Sequence, residues 1–162
     1  MTKKILLKKE EKKMFDFLYL HASSIQQCLR LTHYIIHFND EKCKVKNAAM
    51  TISVDHQYLE ADISIKDNIK EHWKLKDHQV IINCLTHEIC HILIDKLYFC
   101  YEDVVEKHTK KGDKPKTKKG KFYRERLTEH VSRWGVRLYM DFMKVNGINL
   151  KTGKCISKQK KK

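Results

Sequence analysis

The pentad His87-Glu88-Ile89-Cys90-His91 has the residue types and the spacing of a metal-dependent hydrolytic site. In an α-helix, residues four positions apart lie about 40° apart on one face, separated by one turn. Two imidazoles placed in this way can both reach a Zn²⁺ ion at about 2.0–2.1 Å. Glu88 points about 100° away from His87, where its carboxylate can accept a proton from an activated water and deliver it to a leaving amine. The pentad therefore predicts a zinc site with Glu88 as general base.

A long and largely buried helix is predicted around this pentad, over residues 78–100. Apolar side chains occur on both sides of the motif: Val80, Ile81, Ile82, Cys84, Leu85, Ile89, Ile92, Leu93 and Ile94. Two histidines and a glutamate are costly to bury in such a helix unless a ligand or a partner satisfies them. The sequence therefore favours a metal site over the alternative, a chance pair of histidines on a solvated helix face.

A catalytic zinc site needs a third protein ligand and an open position for water. The extended motif HExxHxxGxxH is excluded, because Ile94 and Leu97 occupy the positions of its glycine and third histidine. Asp95 follows His91 by four residues, and we interpret it as an outer partner of a ligand or as the acceptor of a salt bridge rather than as a ligand. The third ligand is therefore expected from another element.

The second long predicted helix, over 122–144, supplies candidates for that ligand. Glu129 is preferred, because the apolar residues that follow it would dock the helix against the core. Glu125 lies one turn earlier on the same face and is the second choice. His130 competes with both glutamates, and His108, in a loop, is a weaker candidate.

Some of these residues also have a purely structural interpretation. Glu129 can instead form an ion pair along the helix surface with Arg126 or Arg133. Cys84 and Cys90 flank the pentad but lack a CxxC partner, so we interpret them as small core residues.

The remaining segments predict an α+β fold. An amphipathic helix precedes a β-branched and aromatic strand, two runs of alternating apolar and polar residues predict a hairpin, and a loop or short helix follows. These segments occupy residues 14–29, 33–38, 50–54 with 59–65, and 67–77. We therefore expect an N-terminal helix, a small three-stranded and mainly antiparallel sheet, the HExxH helix and a C-terminal ligand-bearing helix.

The positive charge is concentrated in three lysine-rich segments. The 162 residues carry a formal charge of +14; segments 3–13, 107–121 and 151–162 together carry +17, which leaves −3 for the other 124 residues. We expect a basic N-terminal segment over 1–13, a single domain over 14–150 that includes the basic loop 107–121, and a disordered basic tail over 151–162.

Composition also limits the partners and the compartment. The chain has 29 lysines but five arginines, which disfavours base readout and leaves non-specific contact with nucleic acid or acidic partners through the lysine-rich segments. No apolar run is long enough to cross a bilayer, the N-terminus does not have the pattern of a signal peptide, and the six cysteines lack paired spacing. We expect a cytoplasmic protein with reduced thiols, no membrane partner and a protein or peptide substrate.

At these residues the chain resembles small HExxH metallopeptidase-like proteins of phages and mobile elements. It is similar, more distantly, to the ImmA/IrrE-like minimal gluzincins and to SprT-like domains. The resemblance covers about residues 31–140 and is carried by the run YLEADISI at 58–65, by LTHEICH at 85–91 and by the acidic helix at 125–138.

This resemblance implies a zincin-like zinc peptidase on a minimal helix–sheet–helix scaffold. His87 and His91 would be zinc ligands, Glu88 the base, and Glu129 the residue that matches the gluzincin ligand. The Glu-x-x-Ala-Asn pattern of the ImmA type is absent, whereas His130 followed by Trp134 fits the SprT pattern, in which the third ligand is a histidine.

A second hypothesis assigns a different class of function. The chain would be a DNA-associated or regulatory binding protein with a structural or vestigial zinc site. Its lysine-rich segments would then hold phosphates without reading sequence.

Overall fold

A computed structural model describes residues 2–40, 48–108 and 117–152, with side chains in 9–40, 48–98 and 123–152. The elements are α1 (Thr2–Leu29), β1 (Ile35–Asn39), β2 (Met50–Asp55), β3 (Glu60–Ile65), α2 (Asp67–Lys74), α3 (His78–His108) and α4 (Thr117–Asn146). Over these described residues the chain has the predicted α+β fold, with four helices and one three-stranded sheet. No helix in the described part of the chain is long and apolar enough to span a membrane.

The sheet has the order β1-β3-β2, so that β2 lies at one edge. Strands β2 and β3 form the predicted antiparallel hairpin, whereas β1 pairs with β3 in parallel. The sheet is therefore mixed rather than mainly antiparallel. In the order β1-β3-β2, the strand next to β1 is β3, the second strand of the hairpin, and β3 runs in the same direction as β1.

The residues of β3 alternate between a buried and an exposed face of the sheet. Ala61, Ile63 and Ile65 are buried, whereas Glu60 and Asp62 are exposed. This alternation confirms the period of two that the sequence predicts, and it turns one face of the sheet towards the helices.

Several helices are longer than their apolar periodicity predicts. Helix α1 begins at Thr2 and therefore includes the lysine-rich segment 3–13, whose Lys, Leu and Glu residues are good helix formers. Helices α3 and α4 are also longer than predicted: the end of α3 and the beginning of α4 lie within the predicted basic loop 107–121. The rest of that loop, 109–116, and the tail over 153–162 lie outside the described residues.

Helices α3 and α4 approach each other closely at Gly135. A Cβ atom at this position would lie 3.3 Å from the Sγ atom of Cys90 and 3.3 Å from the Cγ2 atom of Thr86. The missing side chain therefore allows the close approach. Cys90 is fully buried, as expected of a small core residue, whereas Cys84 is half-buried; neither forms a disulfide.

Helix α1 is joined to α4 by a buried polar contact. The Nδ1 atom of His21 is hydrogen-bonded to the hydroxyl group of Tyr139, and both side chains are fully buried. Burial, with a smaller contribution from the neighbouring His78, lowers the pKa of His21 to about 4. The folded protein therefore holds this imidazole neutral over a pH range in which the unfolded chain protonates it.

We predict that His21 makes the fold sensitive to acid. Between pH 6.5 and about 4 the unfolded state binds the additional proton, so the free energy of unfolding falls as the pH decreases through this range, by about 3 kcal/mol in total. Urea unfolding between pH 7.5 and 4.5 measures this loss. His21→Phe removes this contribution, whereas His37→Phe, at an exposed position, keeps it. An unchanged pH dependence in His21→Phe contradicts the assignment.

Candidate metal centre

His87, His91 and Glu125 converge where α3 packs against α4. One ligand atom from each lies within 4.8 Å of the others. The Oε2 atom of Glu125 is 3.6 Å from Nε2 of His91 and 4.0 Å from Nε2 of His87. The two imidazoles share one face of α3, as the spacing predicts, with ring centroids 5.0 Å apart.

The glutamate in this cluster is Glu125 and not Glu129, the residue preferred from the sequence. The carboxylate of Glu129 pairs instead with Arg133 on the exposed surface of α4, at 2.5 Å, which is the structural alternative considered for it. His130 is exposed and is not part of the cluster, and the side chain of His108 lies outside the described residues. The carboxylate that the structure brings to the two histidines is therefore that of Glu125, the second choice from the sequence, one helical turn before Glu129.

Two hydroxyl groups of α4 lie behind the histidines. The Oγ1 atom of Thr128 is 3.3 Å from Nδ1 of His91, and the Oγ atom of Ser132 is 3.4 Å from Nδ1 of His87. Each hydroxyl donates its proton to a backbone carbonyl of α4, at 2.9 Å in both cases. Each hydroxyl oxygen can therefore only accept a hydrogen bond from the histidine that it faces.

These two acceptors favour the tautomer of His87 and of His91 that carries its proton on Nδ1. In that tautomer both Nε2 lone pairs face the carboxylate of Glu125. Burial, together with His91, lowers the pKa of His87, and the imidazole is therefore neutral at neutral pH. Two lone pairs and a carboxylate oxygen repel one another unless a cation lies between them, so this arrangement suits a cation.

The distances in the cluster fit a tetrahedral metal ion. Bonds of about 2.0–2.1 Å at tetrahedral angles place neighbouring ligand atoms about 3.4 Å apart. The two separations that involve Glu125, 3.6 and 4.0 Å, and the limit of 4.8 Å for all three pairs are wider than this, so the ligand groups must draw together to hold an ion, and the half-exposed Glu125 side chain has room to move. His87, His91 and Glu125 could therefore hold a metal ion.

Glu88 lies beside this cluster and is almost completely buried. Burial, with smaller contributions from the charges of Glu125 and Asp95, raises the pKa of its carboxyl group to about 7, although His91 and a hydrogen bond from the backbone N–H of Ile52 oppose the shift. A carboxyl group with a pKa near neutrality can both accept and release a proton. This location and this pKa agree with the role of general base predicted for Glu88.

A cavity of about 320 Å³ opens in front of these residues, which is large enough for a short stretch of substrate. The first half of β2 and the residue Ala48 before it form one wall, and α3 and α4 form the other. Asp95 and Arg124 line the helical wall next to the histidines and the two glutamates.

The outer edge of β2 borders this cavity. Lys66 donates a backbone hydrogen bond to Ala49, so odd-numbered residues of the β2 segment pair with β3 and even-numbered residues direct their backbone groups away from it. The hydrogen bond from the N–H of Ile52 to Glu88 has this outward direction. The polar backbone of an edge strand therefore lies next to Glu88.

Thr128, Ser132 and Arg124 were not identified from the sequence. One face of α4 carries residues at the spacing i, i+3, i+7 and i+10, namely Glu125, Thr128, Ser132 and Gly135. In the sequence, a helix face that combines one acidic residue with small or hydroxyl-bearing residues indicates the contact between α4 and the two histidines of α3.

Comparison with family models, with curated proteins and with solved structures gives no match to this chain. The assignment of the site therefore depends on its own geometry.

We predict that Thr128 stabilises the bound metal through His91. Thr128→Val keeps the shape of the side chain but cannot accept the Nδ1 proton, so zinc affinity should fall about 10–100-fold. Thr128→Ser keeps the acceptor and should bind zinc almost as tightly as the wild type. Competition with a chromophoric chelator measures the affinities, and circular dichroism verifies the fold. Equal affinity of Thr128→Val and the wild type contradicts the prediction.

Proposed function

We propose that this protein is a zinc-dependent metallopeptidase of zincin-like architecture, with His87, His91 and Glu125 as ligands and Glu88 as general base. The observation that carries the proposal is the convergence of two imidazole lone pairs and one carboxylate beside a buried glutamate. The cavity in front of them supports a catalytic role, because it gives a substrate and a water molecule access to the same point.

The roles of the residues follow from their positions. A zinc ion held by the three ligands would polarise a carbonyl group and acidify a water molecule. Glu88 would take the proton from the attacking water and return it to the leaving nitrogen. Thr128 and Ser132 keep the Nε2 atoms of the histidines directed at the site.

The location of β2 favours a peptide as substrate. An extended peptide can add to the edge of a sheet through backbone hydrogen bonds. Met50 and Ile52 direct their backbone groups to this edge, and both line the cavity. A peptide bound there would lie along the wall opposite the histidines, with its carbonyl groups beside Glu88.

A purely structural zinc site is less consistent with this geometry. Structural zinc ions usually have four protein ligands and no open position. Within the described residues, three ligand groups converge, and a cavity adjoins them. The hypothesis of DNA association depends on the lysine-rich segments 3–13, 107–121 and 151–162. Residues 109–116 and 153–162 lie outside the described residues, and the hypothesis stays a prediction.

We predict that Glu88→Gln separates catalysis from metal binding. The amide is similar in size but cannot accept the proton, so the rate of zinc-dependent cleavage of a quenched peptide library should fall about 10²–10⁴-fold. The zinc content should stay at that of the wild type, because Glu88 is not a ligand. Glu71→Gln, at an exposed position of α2, serves as the control and should keep full activity. Equal cleavage by Glu88→Gln and the wild type contradicts the proposed function.

A further inference from the structure

Arg124 lines the same cavity as the metal-binding residues, yet the mechanism above does not use it. Its side chain is 29% exposed, so the guanidinium group lies in the cavity wall rather than in bulk solvent. It precedes the ligand Glu125 in α4, which keeps it next to the reacting centre.

Within the described residues, the contacts of Arg124 are long. Its Nε atom is 3.5 Å from Oδ1 of Asp95, and its Nη2 atom is 3.7 Å from Oε1 of Glu125. Charge-assisted hydrogen bonds between nitrogen and oxygen measure about 2.7–2.9 Å, so both contacts are long. Within the described residues, Nε of Arg124 and Oδ1 of Asp95 are buried without a hydrogen-bond partner. A buried donor of this kind requires an explanation.

The chemistry of the guanidinium group points to a carboxylate. Its planar arrangement of N–H donors matches the two oxygens of a carboxylate better than any other acceptor in a peptide. When Glu125 binds a cation, its negative charge is shared with that cation, which weakens its attraction for Arg124. The donors of Arg124 then become available to a ligand in the cavity.

We propose that Arg124 binds a carboxylate of the substrate next to the cleaved bond. The carboxylate is either the free C-terminus of the peptide or an aspartate or glutamate side chain. This inference depends on the proposed function, since it assigns the substrate class of the same site. It makes Arg124 a specificity-determining residue.

The charges in the cavity add a condition to this inference. Three acidic residues, Glu88, Asp95 and Glu125, line the cavity with one guanidinium group. An anionic substrate would meet excess negative charge in the metal-free protein, whereas a divalent cation adds two positive charges. Recognition of the carboxylate should therefore require the metal.

Paired peptide hydroxamates test the inference on the zinc-loaded protein. One pair differs only in a C-terminal carboxylate or carboxamide, and the second pair differs only in an internal glutamate or glutamine. The hydroxamate group binds zinc in every case, so calorimetry isolates the contribution of the carboxylate. In one of the pairs the wild type should bind the acidic peptide about 10–100-fold more tightly. The pair that shows this preference identifies the source of the carboxylate.

The variants assign the preference to Arg124. In Arg124→Gln the preference should fall to about one, and Arg124→Lys should keep part of it. Arg137→Gln, at an exposed position of α4, should keep all of it. Zinc affinity, measured for each variant, reports separately on the metal centre.

Several results overturn the inference. One is equal binding of the acidic and the neutral peptide in both pairs by the wild type, and another is a preference that survives in Arg124→Gln. An equal loss of affinity for both members of a pair assigns Arg124 to positioning Glu125 and overturns substrate recognition. If the wild type binds neither zinc nor any hydroxamate, the proposed function fails, and the inference fails with it.

Discussion

The close contact between α3 and α4 is the constraint on which the site depends. It is possible because Gly135 has no side chain where the two helices meet. The same face of α4 carries Glu125, Thr128 and Ser132, so a single packing contact brings a carboxylate to the Nε2 side of the histidines and two hydroxyls to the Nδ1 side. The ligand set, the tautomers and the direction of the lone pairs all follow from this contact.

Burial at this contact then determines the protonation states. It lowers the pKa of His87, which keeps the ring in the form that binds metals, and it raises the pKa of Glu88 to about 7. The hydrogen bond from Ile52 connects Glu88 to the edge strand β2, so the proposed general base and the proposed peptide-binding edge are held together. Packing therefore positions the reactive groups and also tunes them.

Local features of the site were predictable from the sequence, whereas features that depend on how helices pack were not. The spacing of His87 and His91 and the alternation along β3 are properties of single elements. Glu125 and Glu129 lie one turn apart, about 6 Å along α4, and on nearly the same face, so periodicity cannot choose between them. The choice depends on the register of α4 against α3. The parallel pairing of β1 depends in the same way on the path of the chain between elements.

The affinity of Glu125→Gln and Glu129→Gln for zinc tests the central claim most directly. The two variants remove the same charge from the same helix, one turn apart, so they form a matched pair. We predict that Glu125→Gln weakens zinc binding by more than about 100-fold, because it removes a ligand, and that Glu129→Gln binds as the wild type does. Tight binding by Glu125→Gln, with loss of binding in Glu129→Gln, would contradict the metal centre described above.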